Sequence, residues 1–373
     1  MPCFSSLACF GLILLLSISR LQGQSTPSKN SIPLRVGIVG LVHGHVQGFF
    51  DNSLHRPEIE IVGIAESDAS VSSYYATRYN LDRNILFADL DAMLERTRPQ
   101  AVLVYTDTYD HRRVVENCAR HGVHVMMEKP LAVSLEDALA IEKAAHLGKI
   151  QVLVNYETTW YPSNRAAYDL VHEKALGEVR KVVVHDGHKG PKEIDVRPEF
   201  LSWLTDPKLN GGGALFDFGC YGADLMTWLM DGQRPETVTA VTQHIKPDIY
   251  PRVDDEATII LTYPKAQAIV QASWNWPFDR KDMEVYGQTG YVITVKRDDF
   301  RIRRAGGQEE QIAAKAISAP YDNSLSLLRA VIVDGMKPDG LSSLETNLTV
   351  TEILDAARRS AASGKTIRLP ASR

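Results

Sequence analysis

Leu34-Arg35-Val36-Gly37-Ile38-Val39-Gly40 reads as a short, largely apolar strand that stops on a glycine. Leu41-Val42-His43-Gly44-His45 follows, then a helix-like segment through Phe50. Strand, tight turn and helix start, in that order, open a dinucleotide-binding unit, where glycines let backbone amides approach a pyrophosphate. Of the pattern G-x-G-x-x-G only the first glycine is kept, at Gly40. Val42 stands where the glycine facing the pyrophosphate belongs, and His45 takes the third position. Further out, Ile59 to Ala65 reads as a second strand running into Glu66. A carboxylate about 20 residues past the turn binds ribose hydroxyls and repels a 2′-phosphate, so NAD is expected rather than NADP. His43 and His45 are open to three readings: metal ligands, contacts to cofactor or substrate at a helix start, or packing. No neighbouring Cys or carboxylate in the sequence completes a metal set, so no metal site is expected. Gly40, Val42, His43 and Glu66 are the cofactor candidates from this stretch.

The alternation continues. Ala101–Tyr105, Val123–Met127 and Gln151–Val154 read as further apolar strands. Helices are expected at 69–79, 90–96, 111–121 and 135–145. Nearly all-apolar strands alternating with helices make a parallel sheet covered on both faces. After Asn155 the pattern changes to longer, alternating strands at 178–185, 237–244, 257–262, 268–273 and 282–286, the mark of a sheet with one covered face. One helix is expected at 214–229, a closing helix at 344–362 and a last strand at 367–369. The expected fold class is therefore α/β: a doubly wound parallel sheet over 33–155, then an α+β domain with an open, mostly antiparallel sheet over 156–373. The closing helix is expected to reach back to the first domain.

The chain of 373 residues is 44% hydrophobic and 23% charged, which excludes disorder, collagen and coiled coil. With 41 Lys plus Arg against 46 Asp plus Glu, the net charge is −5, which argues against a general nucleic-acid surface. Four Cys include Cys3 and Cys9 at the N-terminus, leaving Cys118 and Cys220 as buried small hydrophobes without a C-x-x-C. The apolar run from Leu7 to Ile18 is too short to span a bilayer and has the length of a signal-peptide core. A cleavable leader over 1–23, a flexible stretch over 24–32 and a periplasmic or secreted protein are expected. The alternative is a cytoplasmic protein with a mis-assigned start.

Val125-Met126-Met127-Glu128-Lys129-Pro130 puts a lysine at the carboxyl end of a buried strand, where open α/β sheets hold ligands. Asn210-Gly211-Gly212-Gly213-Ala214-Leu215-Phe216-Asp217 leads on to Tyr221 and Asp224. If one helix begins after the glycines, those three polar residues share a face. Together these stretches resemble the glucose–fructose oxidoreductase, inositol dehydrogenase and rhizopine-catabolism family, Gfo/Idh/MocA. The resemblance also takes in Thr106, His111 and Asn155-Tyr156, and covers nearly the whole chain after the leader. It departs at the degraded glycine pattern and at Asp107-Thr108, where the family has Pro-Asn. It implies NAD(P)-linked chemistry on sugars or cyclitols and a homo-oligomer built through the open sheet. Lys129 and Asp217 are implied to be catalytic, with Tyr221 where the family usually has His. Thr106, His111, Glu128 and Asn155 are implied to be cofactor-side.

Oxidising a carbinol removes a proton from oxygen while hydride leaves carbon. Tyr221 could take that proton with its pKa lowered by Lys129, or Lys129 could hold the oxygen as charge develops. His185 and His188, in His185-Asp186-Gly187-His188, and the stacking surface of Trp160 are the substrate-side candidates. The expected activity is oxidation of a sugar, glycoside or cyclitol hydroxyl, with NAD tightly held or slowly exchanging. The alternatives are a redox-neutral glycosidase or lyase that returns the hydride, and a sugar-binding protein that has lost its cofactor. The expected partner is a small carbohydrate, with neither nucleic acid nor a membrane span.

Overall fold

The computed structural model describes residues 32–370. The expected leader over 1–23 and most of the 24–32 stretch lie outside the described residues. The first sheet holds β1 (Leu34–Val39), β2 (Ile59–Ala65), β3 (Leu86–Phe87), β4 (Ala101–Val104), β5 (His124–Glu128) and β6 (Val152–Asn155). Between them run α1 (His45–Ser53), α2 (Ala69–Arg78), α3 (Leu90–Thr97), α4 (His111–His121) and α5 (Leu135–Gly148). The strand order is β3-β2-β1-β4-β5-β6, all parallel. The order reverses between β1 and β4, and the carboxyl ends there form the crevice where such sheets bind ligands.

Local chemistry sets the helix starts. Asp68 accepts the backbone N–H groups of Ser70 and Val71, Asp89 that of Ala92, and Ser134 that of Asp137. Each satisfies donors that a helix start leaves without an internal partner. At the far end of α4, Gly122 adopts φ 66°, closing the helix in a left-handed turn.

The second half holds α6 (Pro162–His172), β7 (Val179–Gly187), α7 (Pro198–Leu204), α8 (Ala214–Asp217), α9 (Gly219–Leu229), β8 (Thr237–Gln243), β9 (Glu256–Thr262), β10 (Gln267–Ser273), β11 (Arg280–Gly287), β12 (Gly290–Lys296), β13 (Asp299–Arg304), β14 (Glu310–Ala313), α10 (Ser324–Ile332), α11 (Leu344–Ser363) and β15 (Ile367–Arg368). Its nine-stranded sheet runs β14-β13-β12-β11-β7-β10-β9-β8-β15. Every pair is antiparallel except β7 with β10. The sequence pattern does not mark β3, α6, α7, β12–β14 or α10.

The helix expected at 214–229 is two helices broken at Phe218. The carbonyl of Asp217 accepts the Lys129 ammonium at 2.9 Å, and the amide of Tyr221 turns to Phe218 O instead. One apolar core joins the two halves, taking Val102, Val125 and Val152 from the first sheet and Val182, Ala268 and Val285 from the second. α10 packs Leu325, Leu328 and Val331 against Ile38 and Leu103 of the first sheet. α11 packs on α5 and α9 as well as β8. The Tyr156 hydroxyl donates to Asn347 Oδ1 of α11 at 3.0 Å, and Arg358 of α11 donates to the carbonyls of Val133 and Gly211. Cys118 and Cys220 are buried free thiols.

Asp224 of α9 is fully buried, and neither carboxylate oxygen has a hydrogen-bond partner among the described residues. Burial raises its pKa well above the usual carboxylate value, so it is held as the neutral acid. In the unfolded chain the group ionises near pH 4. Stability is therefore penalised progressively as pH rises from about 4 toward the folded pKa. Asp224→Asn removes the ionisation. The variant is expected to match the parent in denaturant midpoint near pH 4 and to exceed it at pH 8. Parallel midpoint-versus-pH curves would refute this.

Candidate active site

Gly40 has φ 78°, and a Cβ there would come within 2.8 Å of the Thr106 amide nitrogen. Only glycine lets the first turn pass this close to the end of β4. The amide of Leu41 donates to Glu66 Oε2 at 2.7 Å, and that of Asp68 to Glu66 Oε1 at 2.8 Å. Burial, partly offset by these bonds, raises the Glu66 pKa. The amide of His43 donates to Tyr105 O at 3.0 Å, and that of His45 to His43 Nδ1 at 3.2 Å. Leu41, His43 and His45 thus have their amides engaged within the protein.

α7 lies over this turn. The Trp203 indole donates to Val42 O at 3.2 Å, and the His43 ring centroid is 5.0 Å from Phe200 and 5.5 Å from Trp203. Just before α7, the Arg197 guanidinium stacks 3.7 Å over the Tyr74 ring of α2.

At the end of β5, Lys129 precedes a cis proline. Its Nζ lies 2.5 Å from Asp217 Oδ1. Burial opposes both charges. The carboxylate nevertheless holds the Lys129 pKa up, and the ammonium holds that of Asp217 down, so the pair is ionised. The Trp274 indole donates to the other Asp217 oxygen at 2.9 Å. The Tyr221 ring centroid is 5.1 Å from Lys129 Nζ and 5.0 Å from Lys281 Nζ. Lys129, Asp217 and Tyr221 therefore meet in one place, although the last two lie on different helices.

Two expectations need correction, those for Tyr221 and His185. One of the two readings of the proton transfer has the Tyr221 pKa lowered by Lys129. Instead burial, with Asp186 and Glu157 adding to it, raises the phenol well above its usual value, and the ammonium meets the ring face. His185 was expected to face substrate. It points to the opposite face of β7 from Asp186 and pairs with Asp282 at 2.9 Å, because neighbouring strand residues alternate sides. The Trp160 indole donates to Asn155 Oδ1 at 3.0 Å, so its polar edge faces the cofactor-side residues. His188 lies near the ion pair, close enough for Asp217 to act on its charge, and burial lowers its pKa.

The sequence reading missed Asp186, Lys281 and Glu157. Asp186 and Lys281 stand opposite each other on β7 and β11, and Lys281 pairs with Glu157. Asp186 is buried, its pKa is raised well above the usual value by burial, and its Oδ1 has no partner among the described residues. A polar residue in each of two alternating strands was the available signal. Only the β7–β11 register, set across nearly a hundred residues of sequence, could pair them.

On the cofactor side, Asn155 Nδ2 donates to Glu128 Oε1 at 2.8 Å, and His45 Nδ1 lies 2.8 Å from Glu128 Oε2. The Thr106 hydroxyl donates to Asp107 O at 2.9 Å, and the buried Thr108 hydroxyl has no partner among the described residues. A dinucleotide fits the chemistry of this edge. The glycine at Gly40 permits the close turn, Glu66 ends β2, and the Thr108 hydroxyl is a buried polar atom awaiting a partner. Gly40, Glu66 and Thr108 would hold it.

Residues 34–156 match the oxidoreductase family with an NAD-binding Rossmann fold, and residues 164–293 match the GFO/IDH/MocA C-terminal domain. Among curated relatives, the trans-1,2-dihydrobenzene-1,2-diol dehydrogenase of Xenopus tropicalis is 23% identical, covering 82% of this chain and 91% of its own. An uncharacterized oxidoreductase of Rhizobium meliloti is 27% identical over 89% and 98%. Among solved structures, the aldose-aldose oxidoreductase of Caulobacter crescentus superposes with TM-score 0.77 at 22% identity, covering 91% of this chain and 100% of that one. The inositol dehydrogenase homolog of Azotobacter vinelandii complexed with NAD+ gives 0.76 at 18% identity over 90% and 97%. With both halves matched in chain order, this protein belongs to the Gfo/Idh/MocA oxidoreductase family.

Proposed function

We propose that the chain oxidises a secondary hydroxyl of a sugar or cyclitol, using NAD rather than NADP. The observation that carries this reading is the buried Lys129–Asp217 ion pair at the end of β5. Nicotinamide, when bound, supplies the hydride acceptor. The ammonium of Lys129 steadies the substrate oxygen as negative charge develops, and Asp217, fixed by Trp274, keeps that ammonium in place. Asp217 and Asp186 are carboxyls whose pKa values are pushed in opposite directions, the pattern of a divided acid–base role. Asp217, ionised at rest, is therefore assigned to take the hydroxyl proton as hydride leaves, and Asp186, which keeps its own proton, to donate a hydrogen bond to the substrate. Glu66 favours NAD over NADP because a 2′-phosphate would meet its carboxylate. The dehydrogenase, aldose-aldose oxidoreductase and inositol dehydrogenase homolog among the similar proteins support the substrate class.

α7 bears on exchange. Phe200 and Trp203 cover the turn, so a dinucleotide enters or leaves only as α7 moves. That favours a slowly exchanging cofactor, and with it a redox-neutral cycle that returns the hydride, as the second reading. Export to the periplasm or beyond is part of the proposal and rests on the leader over 1–23.

The test is a titration of dinucleotide-free protein with NAD and with NADP, followed by stopped-flow displacement. NAD is expected to bind and NADP to bind at least tenfold more weakly. Trp203→Ala is expected to speed NAD release by about tenfold, the equivalent of ~1.4 kcal/mol. No binding at millimolar NAD by folded protein would remove the nicotinamide reading.

A further inference from the structure

His43, in the first turn, His45, at the start of α1, and Glu128, at the end of β5, form a cluster that the proposed oxidation does not use. One ligand-capable atom from each lies within 4.8 Å of the others. Glu128 stands 83 residues from His45 in sequence, and the parallel sheet brings them together, with β4 between β1 and β5. Glu128 is fixed from behind, since Asn155 donates to one oxygen and is itself held by the Trp160 indole. Ordered support of this kind orients the ligands of metal sites.

A second observation is independent of that cluster. His111 Nδ1 faces the carbonyls of Pro130 and Leu131 at 3.1 and 3.2 Å. Carbonyls only accept, so Nδ1 carries the proton and Nε2 carries the lone pair. The residue is 1% exposed, and Nε2 has no hydrogen-bond partner among the described residues. A backbone carbonyl fixing one ring nitrogen while the other is left bare is the arrangement of a metal-binding histidine.

We propose that His43, His45 and Glu128 bind one divalent first-row transition ion, whose remaining positions are left to a ligand. Imidazoles with a single carboxylate suit zinc, iron(II), cobalt or nickel, whereas calcium and magnesium want oxygen donors. The ion would lie beside the first turn, whose amides at Leu41 and His43 are engaged within the protein, and His43 would present its lone pair to the ion by giving up the bond from the His45 amide. There it supplies the positive charge that a glycine-rich turn supplies through free amides, and it faces an anionic or hydroxyl oxygen of a ligand. A second group, His185, Asp282 and Glu284, carries no such proposal, because Arg280 already lies on both carboxylates.

The test uses the full chain, stripped with a chelator and free of dinucleotide. It is titrated with Co2+ and followed by visible absorption, and with Zn2+ by calorimetry. One ion per chain is expected, with ligand-field bands that show nitrogen donors. His45→Ala and Glu128→Gln are each expected to weaken binding at least 100-fold. Asn155→Ala, which only orients Glu128, is expected to weaken it about 10–100-fold. His185→Ala is expected to leave the stoichiometry at one. His45 has a side chain 43% exposed, so its variant keeps the fold even if Glu128→Gln does not. No cobalt bands in folded protein, or binding unchanged in His45→Ala, would overturn the site. The site does not depend on the dinucleotide reading. NAD is titrated into the same samples, so loss of NAD binding with the cobalt bands intact fails that reading alone, and the converse fails this one alone.

Discussion

Lys129→Met is expected to lower turnover by about 10²–10³-fold, the loss that follows removal of one preorganised donor to a developing oxyanion. It is also expected to weaken the fold. Asp217 is 5% exposed and keeps its charge because the ammonium lies 2.5 Å away. Removing one partner of a buried pair costs about 3–5 kcal/mol, less whatever the carboxyl recovers by taking up a proton. The pair also sets a direction in pH. With the Asp217 pKa held low, its contribution is present above the unfolded carboxyl value and is lost as pH falls through the folded one. In Lys129→Met burial is left opposed by the Trp274 indole and His188 and is expected to outweigh them, so stability should instead fall as pH rises. Lys129→Met combined with Asp217→Leu should recover midpoint but not turnover. Near-parental activity in the single variant would remove Lys129 from the chemistry.

Gly213→Ala is expected to be the most damaging single methyl in the chain's second half. A Cβ there would lie 1.8 Å from the Asp254 carbonyl oxygen and 3.0 Å from its nitrogen, so the obstacle is backbone. That backbone cannot retreat, because Asp254 organises the start of α8. Its carboxylate accepts the amides of Gly213 and Leu215 at 2.9 and 2.7 Å, and its carbonyl that of Ala214 at 2.9 Å. α8 ends on Asp217, so the disturbance reaches the ion pair. A stability loss of about 3 kcal/mol is expected in denaturant titrations. An activity loss of about 100-fold is expected in whatever folds, as for a displaced reacting group. Gly212→Ala is the control, since its added methyl meets the Phe216 ring at 2.9 Å, and a ring can turn aside. Equal stability of the two variants would show that the Asp254 cap does not constrain this turn.

The apolar strands of the first sheet were legible because both their faces are buried, which writes continuous runs into the sequence. Lys129 was legible for a related reason, as a charge directly after such a run. The second half was harder to read. β12 to β14 carry alternating Tyr, Thr and Arg residues on a half-covered face, which gives a weak period. α7 is seven residues long and makes its contacts with the distant first turn, so nothing local announced it. The break at Phe218 was invisible because its cause is a hydrogen bond from Lys129, on another strand. Asp186 and Lys281 were missed because each looks like an ordinary polar position until the register sets them opposite one another.

α11 follows every other described helix in the chain, yet it packs on α5 of the first half as well as on α9 and β8 of the second. Before it emerges, α5 and α9 lack a covering surface, the Tyr156 hydroxyl lacks Asn347, and the Val133 and Gly211 carbonyls lack Arg358. The two halves therefore do not mature one after the other as the chain is synthesised, as independent domains do. The native state closes only after α11 has been made. Until then the nascent chain lacks the contacts that would lock it, and it stays open to whatever machinery handles unfolded polypeptide.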